Sequence, residues 1–472
     1  MIAVATASDP GFRRQFLLAL FWFGISFVWG ALLGIVLPFL LVPEHPGPGN
    51  PLLVSPAYKN TALAVLESLG LAVAILVQPA SGAISDRLRT RWGRRRPMIA
   101  IGAAGAVASL LLIALSPVFL VLVFVYCLLQ FFMNVAQGAY QGLLPDTIPG
   151  SHRGRASGYL GIGNLGGQVA GALVAGVFAP RVTVLVIAAV VAVTATLTLA
   201  GVPEWSAAGV IRPLTLSGGR ALRAVRGLRG YVAEFGRYPD FVWIVFSRFL
   251  TLTGLAGFQR FAANYIRDTY PGHYNVFGWN LGSAKAATSV VFAIIIFCGL
   301  LVTYPAVRLS DRVGRRRVLV SSGLIGAAGA LLFFVATSLT QVVFCAVFVA
   351  LCFGAFVSVD WAFMADLAPV RRAGKFLGFS NLATAGAQAA APAGLGPLID
   401  VVNRQSTSAA GVPGAGGYRV LFGIAAAFFV LGALVLSRVR ATRIVDVEDE
   451  VTPARPPAPE RLEEGSRTRA AY

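Results

Sequence analysis

From Gln15 to Val42 the chain carries no charged side chain. At 1.5 Å per residue a helix of that length crosses the roughly 30 Å apolar core of a bilayer. The run is too long for the core of a signal peptide, and no small-residue cleavage pattern follows it, so it reads as a first spanning helix. Further apolar runs lie at 60–85, 97–117, 118–143, 157–178, 182–201, 240–264, 282–305, 318–339, 341–365, 375–399 and 418–438. Twelve spans consume most of the 472 residues and leave short connections with no sizeable soluble domain. The composition agrees: 57% of residues are hydrophobic and 12% charged, against about 45–50% and about 25% in soluble globular domains. The expected fold is an all-α membrane protein of twelve transmembrane helices.

The charge that remains is concentrated in the connections. With the N-terminus inside, the loops after even-numbered spans hold Arg87 to Arg96, Arg153 and Arg155, the run Arg212 to Arg237, Arg308 to Arg317, and Arg371 to Lys375. The opposite loops hold little beyond Lys59, Arg181, Arg267 and Arg404. Positively charged loops stay on the cytoplasmic side, so both termini are expected there, with the protein multi-pass in the plasma membrane. The net charge of +19 is thus accounted for by topology and not by a nucleic-acid face. Cys127, Cys298, Cys345 and Cys352 all fall inside apolar runs without a close CxxC or a neighbouring histidine, which supports neither a disulfide framework nor a metal site.

Two segments occur twice. SDRLRTRWGRRRP from Ser85 returns in shortened form as SDRVGRRR from Ser310. PDTIPGSHRGRASGYLGIGN after the fourth span parallels ADLAPVRRAGKFLGFSN after the tenth, which sets Asp146, Pro149 and Gly154 opposite Asp366, Pro369 and Gly374. The chain therefore divides into a cytoplasmic N-terminus (1–14), two similar six-helix halves (15–201 and 240–438), a linker between them (202–239) and a disordered cytoplasmic tail (439–472). In the linker, Arg220, Arg223, Arg226 and Arg229 alternate with Leu222, Val225, Leu228, Val232 and Phe235. That pattern fits an amphipathic helix on the anionic inner leaflet and equally a plain positively charged connection.

These residues resemble the major facilitator superfamily, whose two six-helix halves and Gly-x-x-x-Asp-Arg-x-x-(Gly)-Arg-Arg loop match Gly82 to Arg96. Arg91 to Pro97 is similar to the Arg-x-Gly-Arg-Arg-Arg-Pro of its glycoside/cation symporter branch, which includes the plant and animal sucrose transporters. Asn134, Gln137-Gly138, Leu143-Leu144 and Asp146 fall at the spacing of a segment of that branch's fourth helix. One departure stands out. The plant carriers place an acid seven positions before that Gln, where this chain has Gln130, whereas VDWAFMADLAP looks like bacterial members and keeps Asp360. The resemblance implies a cytoplasmic latch between the halves, with Arg87, Arg94 and Arg95 pairing to Asp146 within the first half beside Asp86, and Asp311, Arg315, Arg316 and Asp366 repeating it in the second. The alternative is that these arginines only set orientation and bind lipid headgroups. Asp86 itself, at the end of a span, is suited to accept hydrogen bonds from a neighbouring helix N-terminus.

Polar side chains inside spans are costly and usually face a cavity or another helix. Asn134, Gln137 and Gln141 recur at i, i+3, i+7, and Asn381, Thr384 and Gln388 repeat that spacing on the eleventh span. Asn164 and Gln168 extend the set. Uncharged amides and hydroxyls suit a polyhydroxylated ligand; interhelical hydrogen bonding is the other reading. Glu67 lies about 10 Å inside the outer end of the second span, near the level of Arg260 and Lys285, while Arg248 and Asp360 lie near the inner level. A desolvated Glu titrates closer to neutral pH, so Glu67 is the first candidate for ion coupling and Asp360 the second. Arg260 and Lys285 either stabilise the charged Glu67 or simply snorkel to the interface.

The expected function is a monomeric secondary transporter that symports a sugar or glycoside with a proton or other cation, surrounded by membrane lipids and needing no cofactor, metal or nucleic acid. An exporter of drugs or metabolites is the runner-up, weakened because Ile162-Gly163 stands where exporters carry Gly-Pro ahead of the pair Gly166-Gly167. An enzyme has no residues to run it: His45, His152 and His273 are scattered, with no HExxH and no Walker motif. A non-transporting sensor is a third possibility.

Overall fold

The computed structural model describes residues 11–47, 50–88, 90–148, 152–202, 236, 238–367, 373–406 and 414–440. The expectations for the linker arginines and the tail fall outside these residues, as do Pro149 and Pro369. Twelve long helices are described. In the first half they are α1 (Phe12–Leu41), α2 (Lys59–Ser85), α3 (Arg96–Leu115), α4 (Phe119–Gln141), α5 (Arg153–Val177) and α6 (Pro180–Gly201). The second half has α7 (Pro239–Thr269), α8 (Ala284–Val313), α9 (Arg315–Leu332), α10 (Leu339–Leu367), α11 (Ala373–Gln405) and α12 (Gly416–Ser437). Ten of these are apolar enough over 18 residues to count as spans by hydropathy alone. α9 and α11 are diluted by the Arg315 to Arg317 run and by polar and small residues.

The packing repeats between halves. α1 packs on α5 and α6, α2 on α4, and α3 on α4 and α6; adding six to each number gives the packing of the second half. Across the halves the main contacts are α2 with α11 and α5 with α8, which are exchanged by the same operation. Apolar side chains such as Leu76, Leu115, Leu120 and Phe124 are left on the outside, as a bilayer-facing surface requires. Every spanning element is helical, as expected where backbone groups find no water.

Helix ends differ from the sequence expectation where a local signal outweighs hydropathy. The ninth span was expected to reach residue 339, but α9 stops at Leu332. Ser338 and Gln341 start the next helix there: Gln341 N–H bonds the Ser338 hydroxyl at 3.4 Å, and Gln341 Oε1 accepts from Thr337 N–H at 2.7 Å. This Ser-x-x-Gln arrangement resembles a capping box. The eighth span was expected to end at Pro305, yet α8 continues through that proline to Gly314, whose φ of 95° suits glycine alone. Thus Asp311 lies inside a helix. A two-residue hairpin between α7 and α8, Asn275–Val276 with Trp279–Asn280, was not foreseen; Phe277 and Gly278 form its turn with positive φ, the geometry of a type I′ hairpin.

Candidate functional site

A cavity of about 140 Å³ lies between the halves, walled by α1 and α5 on one side and by α7, α8, α10 and α12 on the other. Its walls are mainly aromatic and aliphatic, with Trp29, Phe258, Tyr265 and Phe292 among them; two amides, Gln168 and Gln259, also face it. Local sequence permits this approach of helices. A Cβ at Gly30 would lie 2.5 Å from the Gln168 carbonyl oxygen, and one at Gly34 would collide with the Phe292 ring. Gly34 also sits in a π-helical turn, Leu32–Val36, within α1, a distortion frequent at functional sites. Aromatic faces can pack on the C–H faces of a sugar ring while amides serve its hydroxyls, in the usual balance of apolar wall and few polar groups.

The end of the molecule opposite the arginine loops is closed by polar contacts between halves. Asp400 on α11 is buried and accepts four hydrogen bonds from the start of α2. These come from Asn60 N–H at 3.3 Å, Asn60 Nδ2 at 2.8 Å, Thr61 N–H at 2.6 Å and the Thr61 hydroxyl at 2.7 Å. A carboxylate from one half thereby caps a helix of the other, where orphan amides and the dipole both favour it. Asn264 on α7 donates to Asn60 Oδ1 at 2.8 Å. Lys59 pairs with Asp268 at 2.5 Å, and the Tyr418 hydroxyl donates to the same carboxylate at 2.5 Å. A Cβ at Gly396 would lie 2.6 Å from the Asn60 carbonyl oxygen, so only glycine lets α11 come this close to α2.

Below this layer Glu67 on α2 faces Arg260 on α7, with Oε2 3.1 Å from Nε and both side chains buried. The geometry is that of an ion pair without a formed hydrogen bond, and neither Glu67 oxygen has a hydrogen-bond partner among the described residues. Lys285, expected either to stabilise the charged Glu67 or to snorkel, instead donates to the Phe178 carbonyl at the end of α5; its long chain reaches a backbone acceptor across the halves. Asp360 is paired with Arg248, which also donates to the Thr384 hydroxyl at 3.0 Å and lies over the Trp361 ring at 5.2 Å. That pair is contained within the second half.

The expected polar stripes separate in space. Asn134 is buried and donates to the Gln130 carbonyl at 2.7 Å and to Gln130 Oε1 at 3.2 Å; Gln130 in turn donates to the Tyr126 hydroxyl at 2.8 Å. Asn134 is therefore occupied along its own helix. Gln168 lines the cavity and donates to Asn164 Oδ1 at 2.5 Å. Thr384 is taken by Arg248, Gln137 is half-buried, and Gln141, Asn381 and Gln388 are exposed; none of these four glutamine and asparagine side chains lines the cavity. Gln259 and Asp400 were missed. Gln259 stands beside Arg260 in sequence and carries no spacing signal, and Asp400 falls one residue beyond the expected end of its span.

At the arginine end, Asp146 follows α4 on a short helix, Leu143–Thr147. Arg94 reaches Asp146 Oδ1 at 2.6 Å and Arg95 reaches Oδ2 at 2.9 Å. Arg95 also pairs with Asp86 at 2.5 Å and donates to the Ser85 hydroxyl at 2.7 Å. Burial pushes the Asp146 carboxyl up, but the bonds and charges of Arg94 and Arg95 outweigh it and hold the group below the usual carboxylate range. Arg87 does not join them: both Asp146 oxygens are already engaged, and Arg87 is exposed. Asp86 meets Arg95 rather than a helix N-terminus, because Arg95 is brought to it by the turn through Gly93, whose φ is 98°. Of the matching residues in the second half, Arg315 and Asp366 pair at 2.7 Å, while Arg316 donates to the Ser437 carbonyl and Asp311 has no ion pair among the described residues.

Comparison with known proteins places these features. The profile of a family described as MFS/sugar transport protein matches residues 53–443. A general alpha-glucoside permease of Schizosaccharomyces pombe is 26% identical over an alignment that takes in 27% of this chain and 27% of that one; the match thus spans about a quarter of the permease. Among solved structures, the nucleoside transporter NupG superposes with a TM-score of 0.66 at 15% identity, covering 90% of this chain and 98% of that chain. A D-xylose-proton symporter superposes at 0.62 with 16% identity, covering 92% and 99%. At such identities these two establish a shared fold.

Proposed function

The chain belongs to the MFS/sugar transport protein family, and from that membership we propose that it is a proton-coupled symporter of a sugar or glycoside working by alternating access. It is a multi-pass membrane transporter and not an enzyme. The observation that carries the finer reading is the buried Glu67–Arg260 pair, which joins the two halves just beside the cavity-lining Gln259. A carboxylate taken out of water, whose one ion-pair partner among the described residues belongs to the opposite half, is charged at least cost when the halves are together. Separation of the halves favours its protonation. Proton binding and the opening of one side are in this way the same equilibrium, as a coupled carrier requires.

The arginine loops face the cytoplasm in this reading, so the Asp400 layer is the outer gate, shut in the conformation described. Gln168 and Gln259 hold sugar hydroxyls, and the aromatic wall packs on the ring. The glucoside and xylose specificities named for the permease and the symporter fit such a cavity. Uptake of labelled glucosides and pentoses into proteoliposomes, with and without an inward proton gradient, tests the proposal. Accumulation of a sugar only with the gradient is the expected result; gradient-independent equilibration of all of them leaves a facilitator, and no uptake of any sugar removes the substrate class.

A further inference from the structure

The two arginine loops, alike in sequence, are not alike in structure. In the first half Arg94 and Arg95 are tied to carboxylates and Arg96 donates to the Leu199 carbonyl. In the second half Arg315 holds Asp366 and Arg316 holds a backbone carbonyl, while Arg317 and Asp311 have no ion pair among the described residues. The repeat explains the difference. Aligning Asp146 with Asp366 sets Ala362 opposite Gly142. A Cβ at Gly142 would collide with the Arg95 guanidinium, so the first half has a seat for its middle arginine that a methyl group fills in the second.

What remains in the second half is a cleft of about 820 Å³ between α8, α9, α10 and α12. Arg315, Arg316 and Arg317 line it against Asp311 and Asp366, with Ser310, Ser321 and Ser437 as further polar groups. Three guanidiniums against two carboxylates leave the lining net positive. All three arginines also occupy the first turn of α9, which has no acidic residue and whose dipole is positive at that end. The rest of the wall is apolar: Val313, Val320, Leu324 and Phe363, with Leu324 exposed.

We propose that this cleft binds the phosphate of an anionic phospholipid, with Arg317 and Arg316 on the phosphodiester and the apolar wall against the first carbons of the acyl chains. Guanidinium forks match phosphate oxygens, and a free phosphate would have no use for the apolar side. The site rests on the orientation proposed above, because anionic lipid is presented to this end only if it lies at a leaflet surface. It does not depend on the substrate or the coupling ion.

The test is native mass spectrometry of the purified full chain from nanodiscs of phosphatidylcholine with one-fifth phosphatidylglycerol. Wild type should retain one tightly held phosphatidylglycerol. Arg317→Gln should lower that occupancy at least threefold. Arg312→Gln, which removes the same charge from the end of α8, outside the cleft lining, should leave it unchanged. Ala362→Gly, which keeps every arginine but reopens the seat for Arg316, should lower it as well. Equal losses in Arg317→Gln and Arg312→Gln would reduce the effect to general surface charge and overturn the site, as would unchanged occupancy in both Arg317→Gln and Ala362→Gly. Displacement of the lipid by millimolar inorganic phosphate would overturn the assignment to lipid. The readout involves no transport, so its failure is distinct from a failure of the symport reading.

Discussion

Glu67 and Arg260 meet at 3.1 Å across the boundary between the halves, both buried, and the carboxylate has no hydrogen bond from any described residue. A charge held by a single partner on a moving body is sensitive to whether that body is near. Glu67→Gln should therefore abolish accumulation of substrate against its gradient, while exchange at equal concentrations on the two sides survives. Counterflow and gradient-driven uptake in the same proteoliposomes separate the two. A mutant that still concentrates substrate under a proton-motive force would move the coupling role to Asp360 or to none.

The arginine-end latch makes a graded prediction. Asp146 receives Arg94 and Arg95 and its side chain is 21% exposed, whereas the Asp86 side chain is 56% exposed. Asp146→Asn leaves the buried Arg95 short of a charge and should cost about 2 kcal/mol. Asp86→Asn should cost at most about 1 kcal/mol, because water screens an exposed pair. Thermal melts in detergent should rank wild type above Asp86→Asn above Asp146→Asn; the reverse order would place the main burden on Asp86.

The same residue predicts a pH dependence. The folded Asp146 carboxyl titrates below its ordinary value of 3.8, so its contribution to stability is fully present above that value and is lost as pH falls through the lower, folded one. The melting-temperature gap between wild type and Asp146→Asn should be constant from pH 7 to pH 5 and shrink below about pH 4. A gap that closes already between pH 7 and pH 5 would mean that Asp146 is not the depressed acid.

Substrate affinity should follow the cavity and not the stripes. Gln168→Ala and Gln259→Ala each leave ligand hydroxyls unpaired in an apolar site, a loss of about 1–3 kcal/mol or roughly 5- to 150-fold in apparent affinity. Asn134→Ala removes hydrogen bonds within α4 and should lower stability with affinity unchanged. Transport assays over substrate concentration, paired with melts, distinguish these. An affinity loss in Asn134→Ala without one in Gln259→Ala would return the binding role to the fourth helix.

Helix number and the repeat were legible because each rests on local pattern, apolar length and a motif that recurs, and so were the pairs of Arg94, Arg95 and Arg315; that Arg87, Arg316 and Asp311 stand outside those pairs was not. The division of labour within the candidate site was not. Asn134 and Gln168 look alike in sequence, and only the packing of α4 against α2, where Gly70 gives room to Tyr126 and Gln130, decides that one is enclosed and the other faces the cavity. Glu67 was legible as an isolated acid in an apolar helix, and Arg260 as a base at similar depth. Lys285 met the same criterion of depth and lies elsewhere, since depth along a helix does not specify its rotation. Asp400 was hidden by a boundary: as a residue just past a span it looked like an ordinary surface acid, and its partners are some 340 positions away.

That residue supplies the last prediction. Asp400 gathers four hydrogen bonds from Asn60 and Thr61 while almost wholly buried, and all four must break if α2 and α11 part on the outside. In the open state the carboxylate and the first amides of α2 are returned to water, so the bonds bias the equilibrium toward outer closure by their net worth only. With charge-assisted bonds contributing about 1.5–3 kcal/mol, Asp400→Ala should raise the ratio of outward-open to outward-closed molecules by roughly 10- to 150-fold. The change can be read with Ala262→Cys, a cavity-wall position on α7, in a chain whose Cys127, Cys298, Cys345 and Cys352 are replaced by serine or alanine. A membrane-impermeant maleimide added outside should label that cysteine slowly when Asp400 is present and at least tenfold faster in Asp400→Ala, with Asp400→Asn between them because it keeps one acceptor oxygen. Labelling that is unchanged or slower in Asp400→Ala would show that the outer side is held by other contacts, of which Lys59–Asp268 is the next to remove.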